Sequence, residues 1–194
     1  MTGHEADRPT QEVEPPAGPR IYAASLSDYN AGILHGVWLE AAQEVDDIQA
    51  GVEQMLAASP TTRRYGDVAE EWAIHDSENF APFQPGEYMP LAELAEIGEG
   101  ISSCGPAFAH YANLLDPGSR ADELRLFDDR YRGHWESMTN YAEQMLDDLD
   151  VDLDGLIPEW LRPYVSLDVE AFGRDLQTEV STSDGDGGIY VFEL

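Results

Sequence analysis

IYAASLSDYNAGILHGVWL, residues 21–39, holds two apolar runs on either side of a turn signal. In Ile21–Leu26, the residues Tyr22, Ala24 and Leu26 alternate as they would on one face of a strand. Tyr29-Asn-Ala-Gly32 supplies the Asn and Gly that turns favour, and Ile33–Leu39 is the second run, so the stretch reads as a hairpin. The period then changes. Val45, Ile48, Val52, Met55 and Leu56 recur at helical spacing up to the break at Ser59-Pro60, and Glu71–Asp76 offers a third strand. Strand alternation followed by a helical stripe specifies a sheet covered by a helix, an α+β unit spanning residues 20–80.

Working outward, residues 81–117 read as a mainly helical middle domain. Pro90 suits a helix start, Gly98 and Gly100 are expected to break that helix, Ala107–Leu115 forms another, and Asp116-Pro-Gly118 marks a tight turn or linker. Residues 118–194 form a C-terminal α+β domain. Its clearest helix is Thr139–Leu149, with Ala142, Met145, Leu146 and Leu149 as the buried stripe and Thr139 as cap. Val165, Leu167 and Val169 alternate like a strand, and Ile189–Leu194 forms a last strand after the turn Gly185–Gly188. The expected architecture is therefore α+β, an elongated chain of three small domains. Residues 1–19, Pro-rich and acidic, read as a flexible tail.

Charge sets the functional question. The chain has 39 acidic residues against 10 basic ones, all Arg, for a net charge of −29 on 194 residues. Such a surplus opposes compaction by self-repulsion, so it needs a benefit outside folding. Direct nucleic-acid binding is excluded, because phosphates need Lys and Arg to neutralise them. No stretch reads as a membrane span or secretion signal, which points to the cytosol. The single Cys104 excludes an internal disulfide and a Cys-based zinc site.

The acids lie along the folded body. Glu40–Glu53 carries Glu40, Glu44, Asp46, Asp47 and Glu53 with no Arg; Asp67–Glu99 carries nine acids, again with none. Asp122–Asp154 carries eleven acids against Arg125, Arg130 and Arg132. In the C-terminal helix Glu143, Asp147 and Asp150 repeat at spacings of four and three, where each like-charge pair costs roughly 0.2–0.5 kcal/mol.

Asp150-Val-Asp152-Leu-Asp154-Gly155 copies the opening of a calcium-binding loop. The twelfth loop position, which should supply a bidentate carboxylate, is Leu161, and Pro158 interrupts the approach. Asp150, Asp152 and Asp154 are thus a candidate metal set lacking its decisive ligand. His35, His75, His110 and His134 show no paired metal spacing, and Glu70-Glu71 point apart on any regular element. No phosphate loop or nucleophile elbow is present, so no enzymatic chemistry and no cofactor are expected. Tyr131, Trp135, Tyr141 and Trp160 read as aromatics anchoring the third unit or a dimer interface.

Four segments, in order, resemble the ArdA-type antirestriction family: residues 21–39 quoted above; AEEWAIHDSENF, 69–80; FDDRYRGHW, 127–135; and YVSLDVEAFGRDL, 164–176. The likeness runs from Arg20 to the C-terminus and departs at the N-terminal tail and around Ser181–Gly188. It implies a slender α+β protein of three small domains that dimerises through the last, a curved acidic rod imitating bent B-form DNA. It further implies inhibition of Type I restriction–modification enzymes by occupancy of their DNA groove. Such proteins are carried by mobile genetic elements and act in a bacterial cytoplasm.

Duplex DNA carries about one charge per 1.7 Å, so a net −29 matches roughly 50 Å of duplex, about 15 base pairs per subunit. The residues expected to carry the imitation are Glu40, Glu44, Asp46, Asp47, Glu53, Glu70, Glu71, Asp76 and Glu78, then Asp128, Asp129, Glu136, Glu143, Asp147, Asp148 and Asp150. Two rival readings stand beside this one. A Lys-free acidic surface also suits a salt-adapted cytosolic protein, and the Asp150–Asp154 run suits a calcium-binding regulator.

Overall fold

Strand β1 (Arg20–Ser25) lies in the middle of a three-stranded antiparallel sheet, between β2 (Gly36–Glu40) and β3 (Trp72–Glu78). The computed structural model describes residues 18–66, 68–149 and 153–194, with 153 and 154 described by backbone alone. The tail reading of residues 1–19 thus falls almost wholly outside the described residues. Gly18 and Pro19 are tied to the body: the Ala41 amide donates to the Pro19 carbonyl at 2.8 Å, and Asn79 Nδ2 to that of Gly18 at 3.1 Å.

The expected alternation of β1 is corrected. Its core-facing residues are Ile21 and Ala23, while Tyr22 sits opposite Trp38 across the strands with ring centroids 5.5 Å apart. A register shift against β3 between Tyr22 and Ala23 brings Ala24 and Ser25 inside as well. Leu26 does not continue the strand. It opens the short helix α1 (Leu26–Asn30), which Ser25 caps, so β1 and β2 are joined by a helical turn and loop. Helix α2 (Val45–Ala57) matches its expectation and buries Ile48, Val52 and Met55. Ser59-Pro60 ends α2 and also starts a helix the sequence reading missed, α3 (Pro60–Tyr65), where the Ser59 hydroxyl accepts from the Thr62 amide at 3.2 Å.

Helix α4 (Leu91–Cys104) runs straight through Gly98 and Gly100, so the expected break is wrong. A Cβ on Gly98 would meet the Ala41 backbone at 2.6 Å, and one on Gly100 would overlap the Phe108 ring. Both glycines mark close packing. The helix stops at Gly105, whose φ of 70° is left-handed, and α5 (Pro106–Leu114) follows. Asp116–Gly118 forms a tight turn closed by the Asp116 side chain, which accepts from the Gly118 amide at 2.7 Å.

The chain continues through α6 (Arg120–Glu123), a 3₁₀ turn at Leu124–Leu126, α7 (Phe127–Arg130), β4 (Tyr131–Trp135), α8 (Met138–Asp148), α9 (Leu153–Leu156), a second 3₁₀ turn at Arg162–Tyr164 and α10 (Val169–Leu176). It ends in the hairpin β5 (Ser181–Gly185) and β6 (Gly188–Phe192), with β6 central in the sheet order β4-β6-β5. The hairpin turn is Asp186-Gly187, both with positive φ, the geometry that matches strand twist.

Four readings of this region change. The α8 cap is Ser137, which accepts from the Asn140 amide at 3.3 Å, rather than Thr139. Leu149 is exposed, because the helix has ended and its stripe is covered only as far as Met145 and Leu146. Val165 and Leu167 pair with no strand, and Val169 begins α10 under an Asp168 cap. Trp160 is 73 % exposed, which removes it as an anchor within the third unit and leaves only the interface reading. Strands β4 and β5 were invisible beforehand, since Tyr-Arg-Gly-His-Trp and Ser-Thr-Ser-Asp-Gly carry little apolar alternation.

The molecule is mixed α+β with two small antiparallel sheets. One contiguous buried cluster runs from Ile21 and Ala23, through Phe83, Leu94, Ile97, Phe108 and Tyr111, to Phe127 and Phe192. Phe127 stacks on Tyr131 at 5.1 Å and tilts against Phe108 at 5.0 Å, so aromatics join the helices to the second sheet.

Candidate functional site

Every described residue of the expected acidic set is exposed. Glu40 ends β2; Glu44, Asp46, Asp47 and Glu53 decorate α2 and its approach; Glu70 and Glu71 precede β3, whose outer end carries Asp76 and Glu78. Asp128 and Asp129 lie on α7, Glu136 follows β4, and Glu143, Asp147 and Asp148 lie on α8. Asp150 falls outside the described residues. Glu78 is engaged by a cation, bonded by Arg20 at 2.6 Å, and that guanidinium also lies 5.0 Å from the Trp38 ring.

The fold brings together acids the sequence keeps apart. A groove of about 470 Å³ is lined by Glu44, from the approach to α2, and by Glu96 and Glu99 on α4. Along the adjoining strip of α4 a second groove, about 280 Å³, is lined by Glu96 and Glu99 again, with Asp128, Arg125 and Cys104. The α4 pair therefore bridges the acids of the first and third blocks. Glu96 and Glu99 were absent from the expected set, although their three-residue spacing on a helix was a usable signal.

Placement against the helix dipoles is unfavourable where it matters. Asp46 and Asp47 sit in the first turn of α2, where the positive dipole end favours them. Asp147 and Asp148 sit at the opposite, negative end of α8, whose last turn holds no basic residue. Each such charge costs about 0.3–1 kcal/mol at low salt. A fold optimised only for stability would not put them there.

Two acids are used internally, Glu93 and Asp28, and a third, the half-buried Glu123, is ion-paired. Glu93 turns inward and accepts from Arg120 at 3.1 Å; that buried guanidinium also donates to the carbonyls of Ala112 and Leu115 and lies 5.0 Å from the Phe83 ring. Glu123 accepts from Arg130 at 2.6 Å; a Ser119 hydrogen bond and that guanidinium hold its carboxyl below the usual range. Asp28 is fully buried among hydroxyls.

Of the calcium set, Asp152, like Asp150, lies outside the described residues, and Asp154 is described by its backbone alone. Among the described residues no group of His, Cys, Asp and Glu is arranged to hold a metal ion. His110 Nδ1 lies 2.7 Å from Ser183 Oγ, within reach of a nucleophile–base pair, but the imidazole is buried and stacked on Tyr190 at 4.2 Å. That packing gives the pair a structural setting.

An acid-coated surface of this kind can engage a cationic protein surface. The family model described as Antirestriction protein (ArdA) matches residues 21–191. The chain belongs to the ArdA family. No curated protein matches it. Membership assigns an antirestriction function, directed at restriction–modification enzymes and exerted by inhibition. Within this ArdA chain, the match spans both sheets and the helices that carry Glu44, Glu96, Glu99 and Asp128. Among the described residues no helix is long and apolar enough to cross a membrane.

Proposed function

We propose that this ArdA protein inhibits Type I restriction–modification enzymes by occupying their DNA-binding groove as a mimic of B-form DNA. The observation that carries the reading is the continuity of acids through α4, from Glu44 through Glu96 and Glu99 to Asp128. On this reading the blocks at 20–80, 81–117 and 118–194 present successive stretches of one anionic face. Fixed carboxylates meet the enzyme's Arg and Lys without recruiting a DNA strand, and both surfaces release counterions. The chain performs no covalent chemistry: the mechanism is steric and electrostatic occupancy in the bacterial cytoplasm, where incoming DNA on a mobile element meets the enzyme.

The active form on this reading is a homodimer through the third block. Leu156, Trp160 and Tyr164 are 78 %, 73 % and 81 % exposed, and Val165 and Leu167 follow them on the surface. Consecutive exposed apolar side chains in so acidic a chain suit a surface covered by a second copy. A two-fold dimer doubles the anionic face and matches the symmetry of a bipartite target.

The test is a gel-shift competition between the protein and target DNA for a purified Type I methyltransferase, at low and moderate salt. The expected result is displacement of DNA that weakens steeply as salt rises. Failure to displace DNA at any salt sinks the reading.

A further inference from the structure

We propose that His110 is a pH-sensitive lock that holds the β5–β6 hairpin, and with it the second sheet, against helix α5. The inference is independent of which enzyme the protein inhibits. It rests on a cluster at the seam between the two. His110 is 5 % exposed; its Nδ1 pairs with Ser183 Oγ of β5 at 2.7 Å, and its ring stacks on Tyr190 of β6 at 4.2 Å. The opposite edge of the ring, Cε1 and Nε2, faces Gly185. A Cβ at Gly185 would lie 2.6 Å from both atoms, so only glycine lets the imidazole seat there.

The neutral ring is satisfied in this place and the charged ring is not. With Nδ1–H donating to Ser183 Oγ, protonation adds an N–H at Nε2, on the edge that faces Gly185, whose carbonyl lies 3.0 Å from His134 Nε2. Three other titratable groups face the cluster. His134, from β4, packs on the far part of Tyr190 with centroids 4.5 Å apart and adds a like charge when protonated. Asp186, in the hairpin turn, attracts the proton but is bonded by the Tyr190 hydroxyl. Tyr190 itself is pushed up to about 12 by burial and by that carboxylate, so it stays neutral throughout.

Burial dominates at His110 and lowers its basicity, with Asp186 opposing and His134 adding to the effect. The sign follows. A cation whose folded pKa is depressed contributes stability in full above the unfolded value, about 6.5, and loses it as pH falls below that value. The loss is local, because the ring touches the hairpin and not the first sheet.

Hydrogen exchange on the full chain at about pH 7.5 and about pH 5.5 tests this. After correction for intrinsic exchange, the opening constant of amides in β5 and β6 should rise severalfold at the lower pH, while β1 stays unchanged. In H110F, which keeps the stack, and in H110N, which keeps a partner for Ser183, the hairpin response to pH should vanish; in H134F it should persist. An unchanged hairpin in the wild type, or the same response in both His110 variants, overturns the proposal. Because exchange reads the hairpin directly, neither outcome depends on DNA competition.

Discussion

At Asp28 several donors converge on one buried carboxylate. The Ser59 hydroxyl donates at 2.7 Å, the Thr61 amide at 2.8 Å, and the Thr61 hydroxyl completes the set, tying α1 to α3. Burial alone would raise this carboxyl, but the bonds from Ser25, Thr61 and Ser59 outweigh it and hold it well below the usual carboxylate range. An acid with a depressed folded pKa contributes stability above its unfolded pKa of about 3.9 and loses it as pH falls below that point. Asp28→Asn should therefore lower the unfolding free energy by about 2–4 kcal/mol at neutral pH, measured by urea denaturation. The variant should also show a shallower loss of stability between about pH 4 and pH 2 than the wild type. An exposed acid such as Glu53 or Asp148 should give no comparable effect.

At the scale of elements, α4 carries two opposed demands. Its Gly98 lies mid-helix, where Ala is favoured by about 1 kcal/mol on propensity. The Ala41 backbone stands 2.6 Å from where that methyl would go and cannot rotate away. Overpacking costs about 1–3 kcal/mol, so Gly98→Ala should destabilise by up to about 2 kcal/mol net, as a lower midpoint at unchanged denaturant slope. A more stable variant would show that the contact yields easily. The same helix presents Glu96 and Glu99 outward. On the proposed function, replacing Glu44, Glu96 and Glu99 together by Gln should weaken inhibition about tenfold and reduce the log–log salt slope by roughly 2–3. Any one of the three alone should change inhibition little, since the field is shared; loss of inhibition from a single replacement would contradict distributed occupancy.

For the whole molecule, electrostatics and association pull in opposite directions. Two copies of a −29 chain repel at long range, and only short-range apolar contact can hold them together. On the proposed function, the exposed run at Leu156, Trp160 and Tyr164 supplies it. A variant with Trp160→Ser and Tyr164→Ser should sediment as a monomer under conditions where the wild type is a dimer, and the wild-type dimer should tighten as salt rises. That trend is opposite to the one expected for inhibition, so the two measurements separate dimer formation from enzyme binding. A wild type that stays monomeric at all concentrations would remove the dimer from the proposal.

Much of the fold was legible along the chain. The helix at 45–57 follows from its period, because one face meets the core while the other meets water; the strands at 20–25, 36–40 and 188–192 follow from apolar runs set off by turns, although the inward set of the first is not the one its alternation suggests. The family likeness and the anionic character were readable for the same reason: both are local in sequence. What the chain could not show depends on partners far away. Gly98 and Gly100 read as helix breakers until Ala41 and Phe108 are seen against them. Along the chain Glu93 is indistinguishable from the other eight acids of Asp67–Glu99 until Arg120 reaches it from 27 positions on. Strands β4 and β5, poor in alternation, exist because β6 pairs with both. Composition alone determined that this protein is an anion. Only tertiary packing decided which carboxylates are spent inside and which, through α4, stand together on the surface.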